Sequence, residues 1–111
     1  EDQNISPSMT VGYYTDVQKT MGKAAVVDAV KLFMVPGMGH CGGGDGPNTF
    51  DIVAALEQWR EHDKAPARIL ATKETDGHVT RTRPLCPYPQ VAKYTGTGSI
   101  NQAENFACTA P

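Results

Sequence analysis

The sequence predicts an α/β fold, of which this chain holds only a late part. Predicted helices and strands alternate along residues 1–75, an order typical of helices packed on a mostly parallel sheet. Leu, Ile, Val and Phe together supply only 20 of the 111 residues, which makes the candidate core small. The two or three strands that the pattern provides are too few for a stable open sheet. We therefore expect the chain to be the C-terminal portion of a larger α/β protein.

The first element is a helix that we expect to run from Pro7 to Met21. Ser6 followed by Pro7 is a helix-start signal, because a capping hydroxyl precedes a proline at the first helical position. Apolar side chains then recur at helical spacing at Met9, Tyr13 and Val17. Gly22 follows as a stop signal.

A strand, a glycine-rich loop and a second helix are predicted next. Residues 30–35 form a nearly continuous apolar run closed by Pro36, which predicts a buried, parallel strand. Residues 37–47 are rich in glycine and predict a loop. Asn48 is expected to cap the following helix, with Asp51 completing a capping box. That helix ends before Pro66, and its apolar stripe consists of Ile52, Ala55, Leu56 and Trp59.

After Pro66 the pattern changes to a hairpin and a tail. Residues 69–73 and 78–82 are typical of strands, and Thr75-Asp76-Gly77 between them is a plausible hairpin turn. The prolines of residues 83–89 predict extended backbone, and Ser99 is expected to cap a short helix near residues 101–105. We therefore treat residues 76–111 as a hairpin and tail of the same domain as residues 1–75.

Charge and hydropathy argue against two classes of partner. Ten Lys and Arg residues stand against twelve Asp and Glu residues, with a net charge of −2. No basic run is present, so the chain lacks the electrostatic footprint of a nucleic-acid-binding protein. No stretch approaches the roughly 18 apolar residues of a membrane span. The sequence also shows no signal or transit peptide, and we expect it to be processed or excised from a longer chain.

The three cysteines predict one disulfide and one unmatched thiol. Cys86 and Cys108 bracket a Pro-rich, polar tail that has little to pack with, and a bridge closing it would stabilise the fold by roughly 3 kcal/mol. Cys41 is then left over. In an oxidising compartment it would be either a free thiol or bonded to a cysteine outside this chain. The alternative is three reduced thiols in a cytosolic protein.

His40 is the candidate functional residue of the glycine-rich loop. It stands directly after the predicted strand, at the carboxyl edge of the sheet, where α/β folds place their ligands and catalytic groups. A lone histidine is more often structural or merely exposed. However, the five glycines from Gly37 to Gly44 lose conformational entropy on folding. A loop that only connects two elements does not need so many glycines, so their presence favours a functional role.

Two other interpretations of this loop fit poorly. The spacing Gly37-x-Gly39-x-x-Gly42 matches the dinucleotide-binding pattern, but that motif requires a helix to begin inside it, and residues 43–47 intervene. A metal site through His40 and its neighbouring cysteine lacks further ligands at the usual spacings. We therefore predict neither a cofactor-binding site nor a metal site in these residues.

A hydrolase triad fits better. α/β-Hydrolases carry their catalytic residues in the chain order Ser, acid, His, with the acid and the histidine on loops after late strands. If His40 is the base, the acid should precede it by one helix and one strand, and Asp2 lies directly before the first predicted helix. Asp16 and Asp28 fit less well, because one is within that helix and the other is just before the strand. The nucleophile would then lie outside this chain.

Three segments of the chain form a distinctive set of motifs: Asp2-Gln3-Asn4-Ile5-Ser6-Pro7, Leu32-Phe33-Met34-Val35-Pro36-Gly37-Met38-Gly39-His40-Cys41 and Arg81-Thr82-Arg83-Pro84-Leu85-Cys86-Pro87-Tyr88-Pro89. They resemble the C-terminal third of the tannase and feruloyl esterase family, to which hydrolases of terephthalate monoesters also belong. The resemblance covers essentially the whole chain. It implies the C-terminal part of an α/β-hydrolase fold with a disulfide-closed tail, in a serine esterase acting on feruloyl- or galloyl-type esters of aromatic acids.

By this resemblance Asp2 matches the acid and His40 the base of a Ser-Asp-His triad. Cys41 matches the cysteine that pairs with one directly before the catalytic serine, whereas Cys86 and Cys108 match a C-terminal disulfide of the family. The implied nucleophile, the oxyanion hole and a lid domain with a structural calcium would all lie upstream of this chain.

The implied enzyme is secreted or periplasmic. Its partners would be the N-terminal remainder, which carries the nucleophile, and a small aromatic ester. The rival interpretation is a non-catalytic, disulfide-bonded, secreted binding domain in which the glycine-rich loop only contacts another protein.

Overall fold

Residues 2–111, which the computed structural model describes, form three helices followed by two antiparallel strand pairs. In chain order the elements are α1 (Pro7–Met21), α2 (Lys23–Ala29), α3 (Ile52–His62), β1 (Ile69–Thr75), β2 (His78–Leu85), β3 (Val91–Tyr94), a 3₁₀ turn (Ala103–Asn105) and β4 (Phe106–Thr109). β1 pairs with β2, and β3 pairs with β4. Helices and strands are both present, as predicted. No helix in this part of the chain is long and apolar enough for a membrane span.

Helix α1 has the predicted bounds, but α2 is not foreseen by the sequence pattern. Gly22 ends α1 with a φ of 85°, and its backbone N–H donates to Gln18 at 3.0 Å. α2 then begins at the next residue and is anchored by Val26, which is 1% exposed. A seven-residue helix is too short to show a helical period, and a glycine before it looks like the start of a loop.

The predicted buried, parallel strand at residues 30–35 is wrong. The segment makes a single antiparallel bridge between Phe33 and Pro87, and its Leu32 carbonyl accepts the backbone N–H of Tyr88 at 2.7 Å. Residues 31–35 are half-buried, and Val30 is exposed. A strand needs a continuous ladder of backbone hydrogen bonds. Within residues 2–111 the strand-like pairing of this segment is limited to Pro87 and Tyr88. Its other backbone hydrogen bonds are local, from Val30 N–H to the Val26 carbonyl and from Met38 N–H to the Val35 carbonyl.

Helix α3 is capped by Asp51, so the predicted cap at Asn48 is also wrong. The Asp51 carboxylate accepts the backbone N–H of Ala54 at 2.8 Å. Residues 48–49 are instead extended and bridge to Thr72 of β1, which moves the start of the helix three residues further along. The side-chain amide of Asn48 is thereby free to donate to the Gly43 carbonyl at 3.0 Å.

The core lies on one face of the β1–β2 hairpin. Its buried members are Ile69, Ala71 and Leu85, and the half-buried side chains packed against them are Phe33, Val35, Phe50 and Ala55. The predicted stripe of α3 contacts this core through Ala55 alone. Ile52 and Leu56 remain 57% and 56% exposed. Two of the four members of the stripe are therefore open to solvent in the described residues, whereas Ala55 and Trp59 are half-buried.

The predicted hairpin is confirmed, and β2 extends beyond the expected end to Leu85. Asp76 and Gly77 both have positive φ, 53° and 76°, the backbone of the two-residue turns that fit the twist of paired strands. The register shifts once, between Lys73 and Glu74, where a bulge interrupts the ladder.

The tail contains a second strand pair that the sequence pattern does not reveal. β3 and β4 have four residues each, which is too short for an alternating pattern to be recognised. The predicted short helix is a single 3₁₀ turn, preceded by a hydrogen bond from the Asn101 backbone to Ser99 Oγ at 3.1 Å. The Cys86–Cys108 disulfide is present, with 5.5 Å between the Cα atoms, and it ties β4 to the end of β2.

Candidate active site

Residues 37–47, which we call the histidine loop, fold back on themselves and present His40 at their tip. At the base of the loop the backbone N–H of Gly46 donates to the Gly37 carbonyl at 2.9 Å. Nearer the tip, Gly39 N–H donates to the Gly43 carbonyl at 3.3 Å. These hydrogen bonds join the outgoing arm of the loop, residues 37–39, to its return arm, residues 43–46. We call this close approach of the two arms the backbone crossing, and His40 directly follows the outgoing arm.

The two arms of the histidine loop approach so closely that side chains have no room between them. Gly44 has a φ of +84°, and a Cβ on it would overlap the Gly37 carbonyl and lie 2.8 Å from the Gly39 nitrogen. A Cβ on Gly46 would overlap the carbonyl of Pro36. The glycines of the loop therefore serve backbone-to-backbone packing, which is a specific structural requirement.

Two side chains from outside the crossing hold its return arm, and sequence analysis does not identify either contact. Lys73 Nζ of β1 lies 2.5 Å from the Gly44 carbonyl, and Asn48 Nδ2 lies 3.0 Å from the neighbouring Gly43 carbonyl. Only the folded arrangement brings Lys73 to a loop 29 residues earlier in the chain. A lysine in a strand carries no local signal of such a contact.

Asp2 and His40, the two predicted catalytic residues, are in direct contact. His40 Nδ1 lies 3.1 Å from Oδ1 and 3.0 Å from Oδ2 of Asp2. An ionised carboxylate can only accept hydrogen bonds, so Nδ1 must carry the proton, and Nε2 of a neutral imidazole is then the basic nitrogen. Asp16 instead pairs with Lys19 on α1 at 3.3 Å. Asp28 belongs to α2.

Backbone amides orient the Asp2 carboxylate. Its Oδ1 accepts the N–H groups of Asn4 at 2.8 Å and Ile5 at 2.9 Å, in a turn just before α1. The hydrogen bond from His40 and those from the Ile5 and Asn4 backbones favour the charged form, and they lower the pKa of Asp2 to about 2. The carboxylate is therefore ionised throughout the neutral range.

The Asp2–His40 pair lies between two clefts. One is an open, polar cleft of about 650 Å³, and its lining includes Gln3, Asn4 and Gly44 beside the pair. The other has a volume of about 220 Å³ and lies between the N-terminal end of α1, residues 32–35 and the histidine loop. Asp2 borders both clefts and His40 lines the polar one, so the polar cleft gives access to the pair.

Cys41 is exposed beside His40 and has no disulfide partner in the part of the chain that the structure describes. Its φ of +60° lies in the left-handed region, so the tip of the loop turns sharply at this residue. Cys86 and Cys108 form the disulfide that closes the tail and do not belong to this site. Residues 2–111 hold no group of three or more His, Cys, Asp and Glu side chains suited to a metal ion.

Comparison with known proteins gives matches along nearly the whole chain. A family model described as tannase and feruloyl esterase matches residues 1–109. A mono(2-hydroxyethyl) terephthalate hydrolase from Piscinibacter sakaiensis is 46% identical over 113 residues, which are 99% of this chain and 18% of that protein. The resemblance inferred from the sequence motifs is thereby confirmed.

Two solved structures from Aspergillus oryzae share the fold. Feruloyl esterase B superposes with a TM-score of 0.89 at 27% identity, covering 98% of this chain and 25% of that one. A second esterase superposes with a TM-score of 0.87 at 30% identity, covering 97% and 25%. The chain therefore spans about a quarter of these two solved chains and less of the terephthalate hydrolase. It belongs to the tannase and feruloyl esterase family.

Proposed function

We propose that this chain supplies the acid and the base of a Ser-Asp-His triad in a serine esterase, as the C-terminal part of an α/β-hydrolase fold. The observation that carries the proposal is the contact between Asp2 and Nδ1 of His40, which joins residues 38 positions apart. A carboxylate on Nδ1 and a basic Nε2 beside an open cleft are what a general base requires. Family membership supports the same chemistry.

In the proposed reaction, Nε2 of His40 accepts the proton of a serine hydroxyl as the hydroxyl oxygen attacks the ester carbonyl. The same nitrogen then gives that proton to the leaving alcohol, and water repeats the cycle to release the acid. Asp2 stays ionised, fixes the tautomer and stabilises the imidazolium. No serine within residues 2–111 is hydrogen-bonded to His40, so we expect the nucleophile from the remainder of the enzyme.

Uncovered apolar surface supports the proposal that a further part of the enzyme packs on this chain. Met9 and Tyr13 of α1 are 67% and 73% exposed, and Ile52 and Leu56 of α3 are more than half exposed. Residues 31–35 are only half-buried, and their strand-like pairing in the described residues is limited to Pro87 and Tyr88. A half-buried, apolar segment of this kind is suited to packing against another part of the enzyme.

We propose esters of aromatic carboxylic acids as substrates, because the named relatives include a terephthalate monoester hydrolase and a feruloyl esterase. The Cys86–Cys108 disulfide supports a secreted or periplasmic location, where thiols are oxidised. The rival proposal, a non-catalytic binding domain, requires no nucleophile. It leaves the paired orientation of Asp2 and His40 without a purpose.

The decisive experiment uses the enzyme that contains this chain. We expect it to hydrolyse methyl ferulate and methyl gallate, and a fluorophosphonate probe to label one serine and abolish that activity. A probe-resistant enzyme, or a labelled serine that belongs to residues 1–111, would contradict the proposed triad. Turnover of simple alkyl esters without turnover of aromatic ones would leave the triad intact and reject the substrate class.

A second prediction concerns Cys41, which we expect to form a disulfide with a cysteine beside the nucleophilic serine. Such a bond would hold the tip of the histidine loop against the nucleophile, and an exposed thiol there would otherwise be open to oxidation. Peptide mapping without reduction should recover Cys41 joined to a peptide from outside this chain. Recovery of Cys41 as a free thiol, or joined to Cys86 or Cys108, would reject the pairing.

Removing the two bonds separately should have different effects. Cys41→Ser is expected to lower kcat more than thermal stability, because it frees the catalytic loop. Replacing both Cys86 and Cys108 by Ser should mainly lower stability, by roughly 3 kcal/mol on the loop-entropy model, because that bond closes the tail. Equal effects of the two changes on kcat would contradict a positioning role for Cys41.

A third prediction concerns the backbone crossing, where the two arms of the histidine loop approach closely. Gly44→Ala should lower kcat strongly, because its Cβ would overlap the Gly37 carbonyl and push the arms of the histidine loop apart. Gly43→Ala is the matched control, since Gly43 also has positive φ, +66°, but has open space around its Cβ position. We expect a much smaller loss for Gly43→Ala. Similar kcat values for the two variants would mean that the close approach is unimportant for catalysis.

A further inference from the structure

We propose that Lys73 is a positioning residue for His40, and that it acts by holding the Gly44 carbonyl from the neighbouring strand. The inference rests on the proposed function, because it assumes that His40 is the catalytic base. Lys73 touches neither His40 nor Asp2 in the recorded hydrogen bonds. Its partner is the backbone of the histidine loop, at 2.5 Å.

A short series of contacts links the Lys73 ammonium to the catalytic histidine. Gly44, whose carbonyl Lys73 holds, packs against Gly39 so closely that a Cβ on Gly44 would lie 2.8 Å from the Gly39 nitrogen. Gly39 in turn donates its N–H to the Gly43 carbonyl at 3.3 Å, and it directly precedes His40. Movement of the return arm therefore displaces the peptide that carries the imidazole.

The strand that carries Lys73 is anchored in the core by the residues that precede it. Ile69, Ala71 and Lys73 alternate along β1, and the first two are buried in the core. Lys73 continues this row as a half-buried side chain at the edge of the core. Its aliphatic stem can lie along apolar surface while the ammonium reaches the carbonyl.

The exit of the histidine loop is fixed to the same strand. The backbones of Thr49 and Thr72 exchange hydrogen bonds of 2.8 and 3.1 Å, and Asn48 N–H also donates to Thr72 at 3.0 Å. This pairing sets Asn48 Nδ2 on the Gly43 carbonyl, one residue before the carbonyl that Lys73 holds. Two consecutive carbonyls of the return arm are thus bound by donors anchored to β1.

The first test compares Lys73→Met with Lys73→Arg in the complete enzyme. Lys73→Met keeps the stem and removes the donor, and we expect kcat to fall by about 10- to 100-fold with KM nearly unchanged, since small misplacement of a catalytic group has effects of this size. Lys73→Arg restores a cationic donor and should recover most of the loss. Lys93→Met, at an exposed lysine of β3, should have no effect.

The second test is a double-mutant cycle with His40→Ala. If Lys73 acts through His40, Lys73→Met should cause no further loss of kcat in the His40→Ala enzyme. A full additional loss in that background would overturn the inference, because it would indicate a general structural role. A Lys73→Met enzyme with wild-type kcat, or no recovery with Lys73→Arg, would also overturn it.

Asn48→Ala keeps the inference testable if Lys73→Met does not fold. It removes the other donor to the return arm and should lower kcat in the same way, again only when His40 is present. Wild-type kcat in a folded Asn48→Ala enzyme would then reject the anchoring of the arm. Failure of the proposed function has a different signature, because His40→Ala alone would then leave kcat high.

Discussion

Replacing His40 by alanine is expected to lower kcat by about 10²- to 10⁴-fold or more, because removal of a general base has effects of this order. KM should change little, since the imidazole acts mainly in the transition state and contributes little to ground-state binding. The measurement is steady-state hydrolysis of an aromatic ester by the complete enzyme. His40 is at the tip of a loop and outside the buried core, so folding should survive the change.

The matched control is His62→Ala, at an exposed histidine in the last turn of α3. It should keep wild-type kcat and the wild-type unfolding temperature. If the His40→Ala enzyme keeps more than roughly a tenth of wild-type kcat, His40 is not the general base, because the smallest loss usual for such a group is about 10²-fold.

Asp2→Asn should lower kcat by somewhat less than His40→Ala. The amide oxygen of asparagine can still accept the backbone N–H groups of Asn4 and Ile5, so the turn before α1 is retained. It cannot stabilise the imidazolium as a carboxylate does, and its NH₂ group can hold His40 in the wrong tautomer. Asp16→Asn, which alters only an exposed ion pair with Lys19, is the control and should leave kcat unchanged.

Because the pKa of Asp2 is lowered to about 2, the contribution of its carboxylate should depend on pH in a defined way. A depressed carboxyl pKa means that the contribution of Asp2 to stability is complete above its usual pKa of about 3.9 and is lost as the pH falls through about 2. Any loss of wild-type activity between about pH 4 and pH 7 must therefore come from another group. A stability difference between wild type and Asp2→Asn that is lost between about pH 7 and about pH 4 would contradict the lowered pKa of Asp2.

Features with local signals are predicted well from this sequence. Pro7 and Gly22 mark the two ends of α1, and Asp76-Gly77 marks the hairpin turn, because each of these residues restricts or permits particular backbone angles. The Cys86–Cys108 bond follows from a tail with little to pack against. The Asp2–His40 contact is foreseen because α/β-hydrolases carry their triad in the chain order Ser, acid, His.

Features that depend on distant partners are missed. Residues 30–35 have the composition of an internal strand, but their pairing depends on which backbone lies beside them. Asn48 resembles a helix cap, yet pairing with Thr72 keeps it extended and leaves the cap to Asp51. The Lys73–Gly44 contact depends on the bridge between Thr49 and Thr72, which no local pattern announces.

The backbone crossing of the histidine loop also limits which positions around the site can accept other amino acids. At Gly44 and Gly46 only hydrogen fits, so we expect substitutions there to displace His40, the proposed base, whatever their effect on substrate choice. The polar cleft that Gly44 and His40 line is also lined by Gln3 and Asn4, both exposed. Asn4 supports Asp2 through its backbone N–H, which any residue except proline supplies. If the cleft holds the ester, as proposed, we expect substitutions at these two positions to change substrate preference and leave the Asp2–His40 contact intact.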